Sequence, residues 1–529
     1  MPVPLKTSGN KLEMDYAKME KSARNKHRAE IDIYLKQDCQ ALLDMVIQYR
    51  DVFGKSGKIP LTMASAAFKA LKEHHEFTPL SRQMDAKLRD YYAGGHTQCY
   101  EVGIITAPEN DDICLFDVNS EYPSVMKFNR HPTGDTWYSD TKITDHTHFI
   151  EWQGVNHAAV YSRDKTGIHF NHGEGVFKTT IHEYTTALEL GLIEVDKIVE
   201  TLNCKLSTNF AAFVDEYFNR RLESAAKKDD TLVLFWKLVL NSSYGKFGQN
   251  AENFGNYAIC EKGGEEYLNR LSDESFKSVI DIATEINGKQ YSIIKTALSD
   301  TELDDQAIYN VSTAASITGA ARALLMRGIH CCNATGNKVM YCDTDSMFTY
   351  GYPTALETVK DKTLGHWNFE AKGKIIALAG KKQYALFDRL ADDILKSPTL
   401  LTAYPLHKWK GETLEQFACR YKSSDYKPPK GFAYIPDGQG NKTYWACCKM
   451  ATKGTRLCPQ EIVNMAYDAS YTPRYDNFAP TFDLNANQRF ISRITRNTAE
   501  KPFTLGKKEL FVPSLSRSIK REFENSEYL

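Results

Sequence analysis

Two short segments of this chain end apolar runs with aspartate. ICLFDVNSEYPS at 113–124 carries Asp117, and VMYCDTDSMF at 339–348 carries Asp343 and Asp345. The second run reads as a β-hairpin turning at Asp343–Thr344–Asp345. Side chains in a strand alternate faces, so positions i and i+2 share one. Two carboxylates that close repel each other, and a bound divalent cation relieves the repulsion. Hard oxygen ligands suit magnesium or manganese. Asp117, brought in from a neighbouring strand, would complete a site for two metals roughly 3.5–4 Å apart, which can activate a hydroxyl and stabilise a leaving pyrophosphate. Taken alone each motif is weak, because a D-T-D turn is more often a surface or calcium-type turn.

A third segment, FWKLVLNSSYGKFG at 235–248, places Lys237, Asn241 and Tyr244 at i, i+4 and i+7. At about 100° per residue they fall on one helix stripe. A lysine there can pair with phosphates, and a tyrosine one turn on can stack on a base pair. The bland reading is an amphipathic helix with its polar side in water. Arg220 and Arg221, one helix earlier, could reach the same phosphates. The sequence does not choose between them, and we assign the contact to Arg221.

The elements that must position these residues are legible in outline. Helical apolar spacing covers 30–49, and 64–71 reads as another helix. Gly94–Gly95 marks a turn and a boundary. Residues 113–118 read as a strand by length and composition. Residues 130–153 look turn-rich and polar. A helix is expected over 179–192, ending at Gly191, and two helices over 209–248, joined at 227–230. Residues 251–306 look mixed, acidic and loop-rich. A helix over 314–329 precedes a hairpin at 339–349 and a strand–turn–strand at 375–387. Residues 392–441 look irregular, and 1–30 read as a polar lead-in. Strands and helices are interspersed without regular β-α-β alternation, so the fold class is α+β.

At 529 residues the chain is long enough for three or four subdomains. It is 42% hydrophobic and carries 66 basic against 67 acidic side chains, so any polyanion must be met by a local basic groove. Residues 449–508 are locally basic. None of the 12 cysteines forms a C-x-x-C pair, which points to reduced cytosolic thiols and a cytoplasmic protein. No apolar run of 18 residues exists, so no membrane association is expected.

Together these segments resemble family B DNA polymerases. DVNSEYPS at 117–124 resembles the family's D-x-x-S-L-Y-P-S, KLVLNSSYG at 237–245 its K-x-x-x-N-S-x-Y-G, and YCDTDS at 341–346 its Y-x-D-T-D-S. YAGG at 92–95, TGAAR at 318–322 and KQY at 382–384 resemble smaller elements of the same family. KFG after NSSYG and LGHWNFE at 364–370 lean toward the protein-primed branch of phages, linear plasmids and mobile elements. The resemblance spans roughly 30 to 460.

It implies a right-hand fold of palm, fingers and thumb with two insertions. The divisions would be 1–90, an exonuclease remnant and linker; 91–128, palm; 129–212, first insertion; 213–248, fingers; 249–310, second insertion; 311–445, palm; and 446–529, thumb and C-terminal region. It implies two Mg2+ ions, with Mn2+ as the alternative, on Asp117, Asp345 and the Val118 carbonyl, with Asp343 as a supporting carboxylate. Tyr122 would exclude a 2′-hydroxyl. Lys237, Asn241, Tyr244 and Arg221 would meet the nucleotide. Tyr92, Gly94, Gly95, Arg322, Lys382 and Tyr384 would meet primer or template. The implied partners are a DNA primer–template, deoxynucleotides, a terminal (priming) protein and a separate exonuclease half.

Two departures stand out: Glu121 where leucine is usual, and Cys342 where glycine is common. We expect altered packing or fidelity from them. YLKQD at 34–38, with Tyr34 and Asp38, fits the last exonuclease motif, but the earlier ones are absent from 1–33. One carboxylate cannot hold two metals, so no proofreading is expected. The rivals are a degenerate polymerase that binds DNA or the priming protein, a reverse transcriptase, and a primer-independent polymerase-primase.

Overall fold

The computed structural model describes residues 23–53, 62–164, 167–227, 230–250, 255–281, 289–299, 310–358, 363–390, 432–436, 442–452 and 457–471, with Lys18 and two short strands at 504–505 and 509–510.

At the centre lies a five-stranded antiparallel sheet in the order Thr97–Cys99, Val339–Asp343, Ser346–Tyr350, Ile113–Val118, Trp367–Gly373. Both its faces are covered, which is why its inner strands read as unbroken apolar runs. Cys114, Phe116, Val118, Cys342 and Met347 pack with Leu325 and Cys332 of the long helix Val311–Ala334. Ile113, Leu115, Tyr341 and Phe348 pack instead with Ile376, Leu378, Tyr384 and Leu386. Asp117 follows Leu115 by two residues and continues that second row to the strand end.

The second cover is itself a five-stranded antiparallel sheet, in the order Gly103–Thr106, Ile375–Gly380, Gln383–Leu390, Lys442–Thr452, Phe432–Pro436. Helix Pro459–Tyr467 closes its far side through Ile462 and Val463, with Leu457 just ahead of it. A helical layer flanks the central sheet. Helices Met63–His74, Glu121–Phe128, Ala211–Ala226, Asp230–Ser242 and Val311–Ala334 share one core that includes Phe68, Met126, Phe213, Trp236 and Ile317.

The expected helices and hairpins are present. The helix foreseen over 30–49 runs Arg28–Phe53, and that over 314–329 runs Val311–Ala334. The helix expected over 179–192 is Ile181–Glu189, opened by a capping box between Thr180 and Glu183. Two stretches differ from expectation. Residues 130–153, read as turns, enter a four-stranded sheet in the order Trp137–Asp140, Ile193–Cys204, Thr147–His157, His172–Thr180. Strand Thr147–His157 buries polar side chains as well as Phe149, Ile150 and Trp152. Thr147 Oγ1 donates to Asn203 Oδ1 at 2.6 Å, and Asn156 Nδ2 to the Val160 carbonyl at 2.8 Å. Paired polar groups can be buried at little cost, so polarity hid the strand.

Residues 251–306, read as loop-rich, contain the sheet Asn256–Glu261, Tyr291–Thr296, Phe276–Asp281 with helix Glu265–Leu271. Charges at its rim, such as Lys289 to Glu261 at 2.6 Å, gave it a loop-like composition. The division at 445/446 falls inside strand Lys442–Thr452, and that at 212/213 inside helix Ala211–Ala226. Of 392–441, Phe432–Pro436 is a strand and the rest lies outside the described residues, as does most of 1–30.

Candidate active site

The central hairpin turns through Thr344 and Asp345. Asp345 N donates to the Asp343 carbonyl at 2.7 Å, and Thr344 has φ 63°. That is γ-turn geometry, strained for a β-branched residue. The surroundings hold it. Thr344 N donates to the His96 carbonyl at 2.7 Å, and Val118 N to the Asp345 carbonyl at 2.7 Å. The second bond ties the turn directly to the Asp117 strand.

The register places Asp343 opposite Ser346, and Ser346 opposite Asp117. Asp345 belongs to the turn rather than to a strand, so the i, i+2 rule does not govern the pair as expected. Asp343 has partners of its own: Thr97 Oγ1 donates to it at 2.8 Å, and Lys382 Nζ lies 2.9 Å away. Asp117 and Asp345 form the crowded pair. Burial, then Asp345 and Glu370, push the Asp117 carboxyl up to about 7, while Lys237 and Lys449 pull it down. Burial and Asp343 also raise Asp345, against Lys382 and Lys237. Two buried carboxylates, both raised, at a strand end beside the Val118 carbonyl fit a divalent cation. Among the described residues no three His, Cys, Asp or Glu side chains converge on one point.

Two further acids attend it. Glu370 lies on the strand whose Asn368 faces Asp117, and Lys449 balances it at 2.5 Å. Glu370 is the last residue of the LGHWNFE segment and sits at a bulge between Phe369 and Ala371, so strand alternation alone does not bring it to the site. Glu121 is 1% exposed, and neither carboxylate oxygen has a hydrogen-bond partner. Burial, then Asp345 and Asp117, hold its carboxyl well above the usual range. Cys342 is wholly buried, with Tyr100 Oη 3.8 Å from its sulfur, and burial pushes its thiol up to about 12.

Across the pair stands the helix Asp230–Ser242. Lys237 and Asn241 are exposed on it, and Lys237 is the cation felt by both Asp117 and Asp345. The helix ends at Ser242, so Tyr244 lies in the following 3-10 turn, Tyr244–Lys246, and not on the helical stripe. From there it stacks on Tyr122, with ring centroids 4.2 Å apart and planes 22° from parallel. Burial raises both phenols, Tyr244 to about 12.

The structure separates the two arginines. Arg221 Nη1 donates to Ser120 Oγ at 3.0 Å, inside the Asp117 motif. Arg220 pairs with Glu216 at 2.5 Å and lies over the Tyr217 and Trp236 rings, away from that motif.

On the other flank the structure shows what Arg322, Tyr384 and Lys382 touch within the protein. Arg322, expected at the primer, is 3% exposed. Its guanidinium is filled by Glu183 at 2.7 and 3.0 Å and by the Ala93 and Gly94 carbonyls at 2.7 and 2.6 Å. Four of its five N–H donors are thus committed inside the protein, and it binds the YAGG segment. Tyr384 buries its ring between Tyr341 and Phe348, and the nearby carboxylates raise its phenol after burial does. Lys382 turns its ammonium to Asp343, from a residue with φ 61°. Tyr92 and Gly94–Gly95 do run beside the site. A Cβ on Gly248 would lie 2.4 Å from the Tyr92 hydroxyl, so Tyr92 covers the end of the Tyr244 segment. Tyr34 is buried and Asp38 exposed on helix Arg28–Phe53, remote in sequence from this cluster.

A central sheet with an acidic turn, a facing helix that presents Lys237 and a tyrosine stack together make a candidate nucleotidyl-transfer site. The family described as DNA polymerase type B, organellar and viral, matches residues 1–327. The chain belongs to that family and is a DNA-directed DNA polymerase. It is 37% identical over 503 residues to the DNA-directed DNA polymerase of Enterobacteria phage PRD1, covering 94% of this chain and 80% of that protein. It is 25% identical over 411 residues to the DNA polymerase of Bacillus phage phi29, covering 71% of this chain but 62% of the relative. Phi29 DNA polymerase complexed with primer-template DNA superposes with a TM-score of 0.54 at 20% identity, over 73% of this chain and 64% of the other. These relatives bear out the resemblance to the protein-primed branch and the α+β polymerase fold. No helix among the described residues is long and apolar enough to cross a membrane.

Proposed function

We propose that this chain extends a primer on a DNA template by metal-dependent nucleotidyl transfer at Asp117 and Asp345. The observation that carries the reading is the pair itself: two carboxylates crowded at a strand end, each raised by burial, with Lys237 facing both. Asp117, Asp345 and the Val118 carbonyl would hold two magnesium ions, which supply charge for a hydroxyl nucleophile and a leaving pyrophosphate. Asp343 is a supporting group that orients Lys382 toward the primer end.

The remaining steps belong to the protein's own groups. Lys237 and Arg221 neutralise the triphosphate, Arg221 from a position fixed by Ser120. Asn241 adds a polar contact one turn beyond Lys237. Tyr122, braced by the Tyr244 ring, lies under the sugar and rejects a 2′-hydroxyl. Template identity enters through base pairing, so protein contacts to the duplex are to its backbone and weaken with salt. The central sheet is the palm, helices 211–242 the fingers, and the sheets of 137–204 and 256–296 the two insertions. The first primer hydroxyl would come from a priming protein, as the branch implies.

Primer extension with magnesium and four deoxynucleotides tests the reading. Wild type extends and Asp345→Asn does not. Folded, DNA-bound wild type that adds no nucleotide would favour a binding module instead.

A further inference from the structure

Residues 89–96 belong to neither sheet until His96 meets the catalytic turn. Such a segment has carbonyl groups that no ladder satisfies. Here side chains satisfy them nearly one after another. Arg163 donates to the Arg89 carbonyl at 3.4 Å and also to the Tyr92 carbonyl. Tyr161 Oη donates to the Asp90 carbonyl at 3.4 Å. Arg322 takes the Ala93 and Gly94 carbonyls. Lys178 adds an ion pair with Asp90 at 2.6 Å.

The donors come from two places. Arg322 lies on the core helix and is locked by Glu183. Tyr161, Arg163 and Lys178 all lie within the first inserted region, Arg163 on its small hairpin Ser162–Asp164/Gly167–His169. The segment they grip contains Gly94–Gly95, which has no backbone preference of its own. Its two ends are functional. Arg89 donates to the Gly248 and Gln249 carbonyls at 3.3 and 2.9 Å, behind Tyr244. His96 accepts from Thr344 N, between the carboxylates.

We propose that Arg163 is a positioning residue for nucleotidyl transfer. From the first insertion its forked guanidinium fixes the path of 89–96, and through it the Asp343–Asp345 turn and the end of the Tyr244 segment. A charge-assisted fork to two carbonyls of one segment sets geometry as well as energy. A displacement of about 1 Å at reacting groups can cost about a hundredfold in rate. The inserted region, whatever else binds it, thereby gains a hold on catalysis.

The inference rests on the polymerase reading, and single-nucleotide incorporation separates the two. If wild type incorporates nothing, the polymerase reading has failed. If wild type is active, Arg163→Ala is expected to lower kcat about tenfold, with KM for the nucleotide within about threefold. It should also raise the magnesium concentration for half-maximal rate, with unfolding temperature nearly unchanged because Arg163 is at the surface. Arg163→Lys keeps the charge but lacks the fork, and should recover only part of kcat. Should the alanine variant fail to fold, the lysine variant carries the same test. Unchanged kcat and metal dependence in a folded variant overturn the proposal. So does a loss confined to unfolding temperature.

Discussion

Gly95 rests directly on Thr344: a Cβ at position 95 would lie 2.4 Å from the Thr344 hydroxyl oxygen and 2.6 Å from its methyl carbon. Thr344 is the strained centre of the acidic turn, so it has little room to retreat. Gly95→Ala should therefore move the turn rather than be absorbed. We expect extension to fall about 10- to 100-fold, with stability lowered by about 1–3 kcal/mol. Steady-state incorporation beside thermal unfolding would show it, and a fully active Gly95→Ala enzyme would mean the turn tolerates displacement.

The three aspartates should not behave alike. Asp117→Asn and Asp345→Asn each remove a charge from the crowded pair, and extension should drop about a thousandfold or more. Asp343 is engaged by Thr97 and Lys382. Asp343→Asn should cost about tenfold and act mainly through the primer end, seen as weaker binding of primed DNA. Equal losses at all three positions would place Asp343 among the metal ligands after all.

Acid groups raised by burial give a definite sign to the pH dependence. The folded Asp117 carboxyl is pushed up to about 7, above its unfolded value, and Glu121 is raised well above its own. Each holds a proton more tightly folded than unfolded. Their stabilisation is complete below about pH 4 and is lost as pH rises through the folded pKa, near 7 for Asp117. Without metal, unfolding temperature should fall across this window. Magnesium favours the ionised carboxylates, so its stabilising effect should grow with pH. Glu121→Leu removes an unpartnered buried carboxyl and should stabilise by about 1–3 kcal/mol at high pH. Unfolding curves across pH, with and without magnesium, test both; a Glu121→Leu protein of lower stability would reveal a partner for the carboxyl.

Arg221→Ala should raise KM for the nucleotide about tenfold, because Ser120 holds that guanidinium at the Asp117 motif. Arg220→Ala should leave KM unchanged, since its partners are Glu216, Tyr217 and Trp236. The reverse pattern would show that the helix rotates when nucleotide binds.

Arg322→Ala should destabilise the protein by about 3–5 kcal/mol, because it strands the buried Glu183 carboxylate. A variant of normal stability with weakened DNA binding would restore the primer-contact role that the motif suggested.

Much of this site is written in local sequence. Strand ends, the acidic turn, the Lys237 helix and the tyrosine motifs depend on short-range periodicity and turn chemistry, and the chain carries both within a dozen residues. Tertiary structure alone decided the partners. Asp343 turns to Lys382, Arg322 to Glu183, and Arg221 rather than Arg220 to Ser120. Each choice pairs residues at least 39 positions apart, where no local pattern operates. The inserted sheet was hidden for a related reason: Thr147 and Asn156 look solvent-facing until their hydrogen-bond partners are known. Burial and charge pairing are properties of the assembled neighbourhood, so a side chain's type announces what it could do and only packing determines with whom.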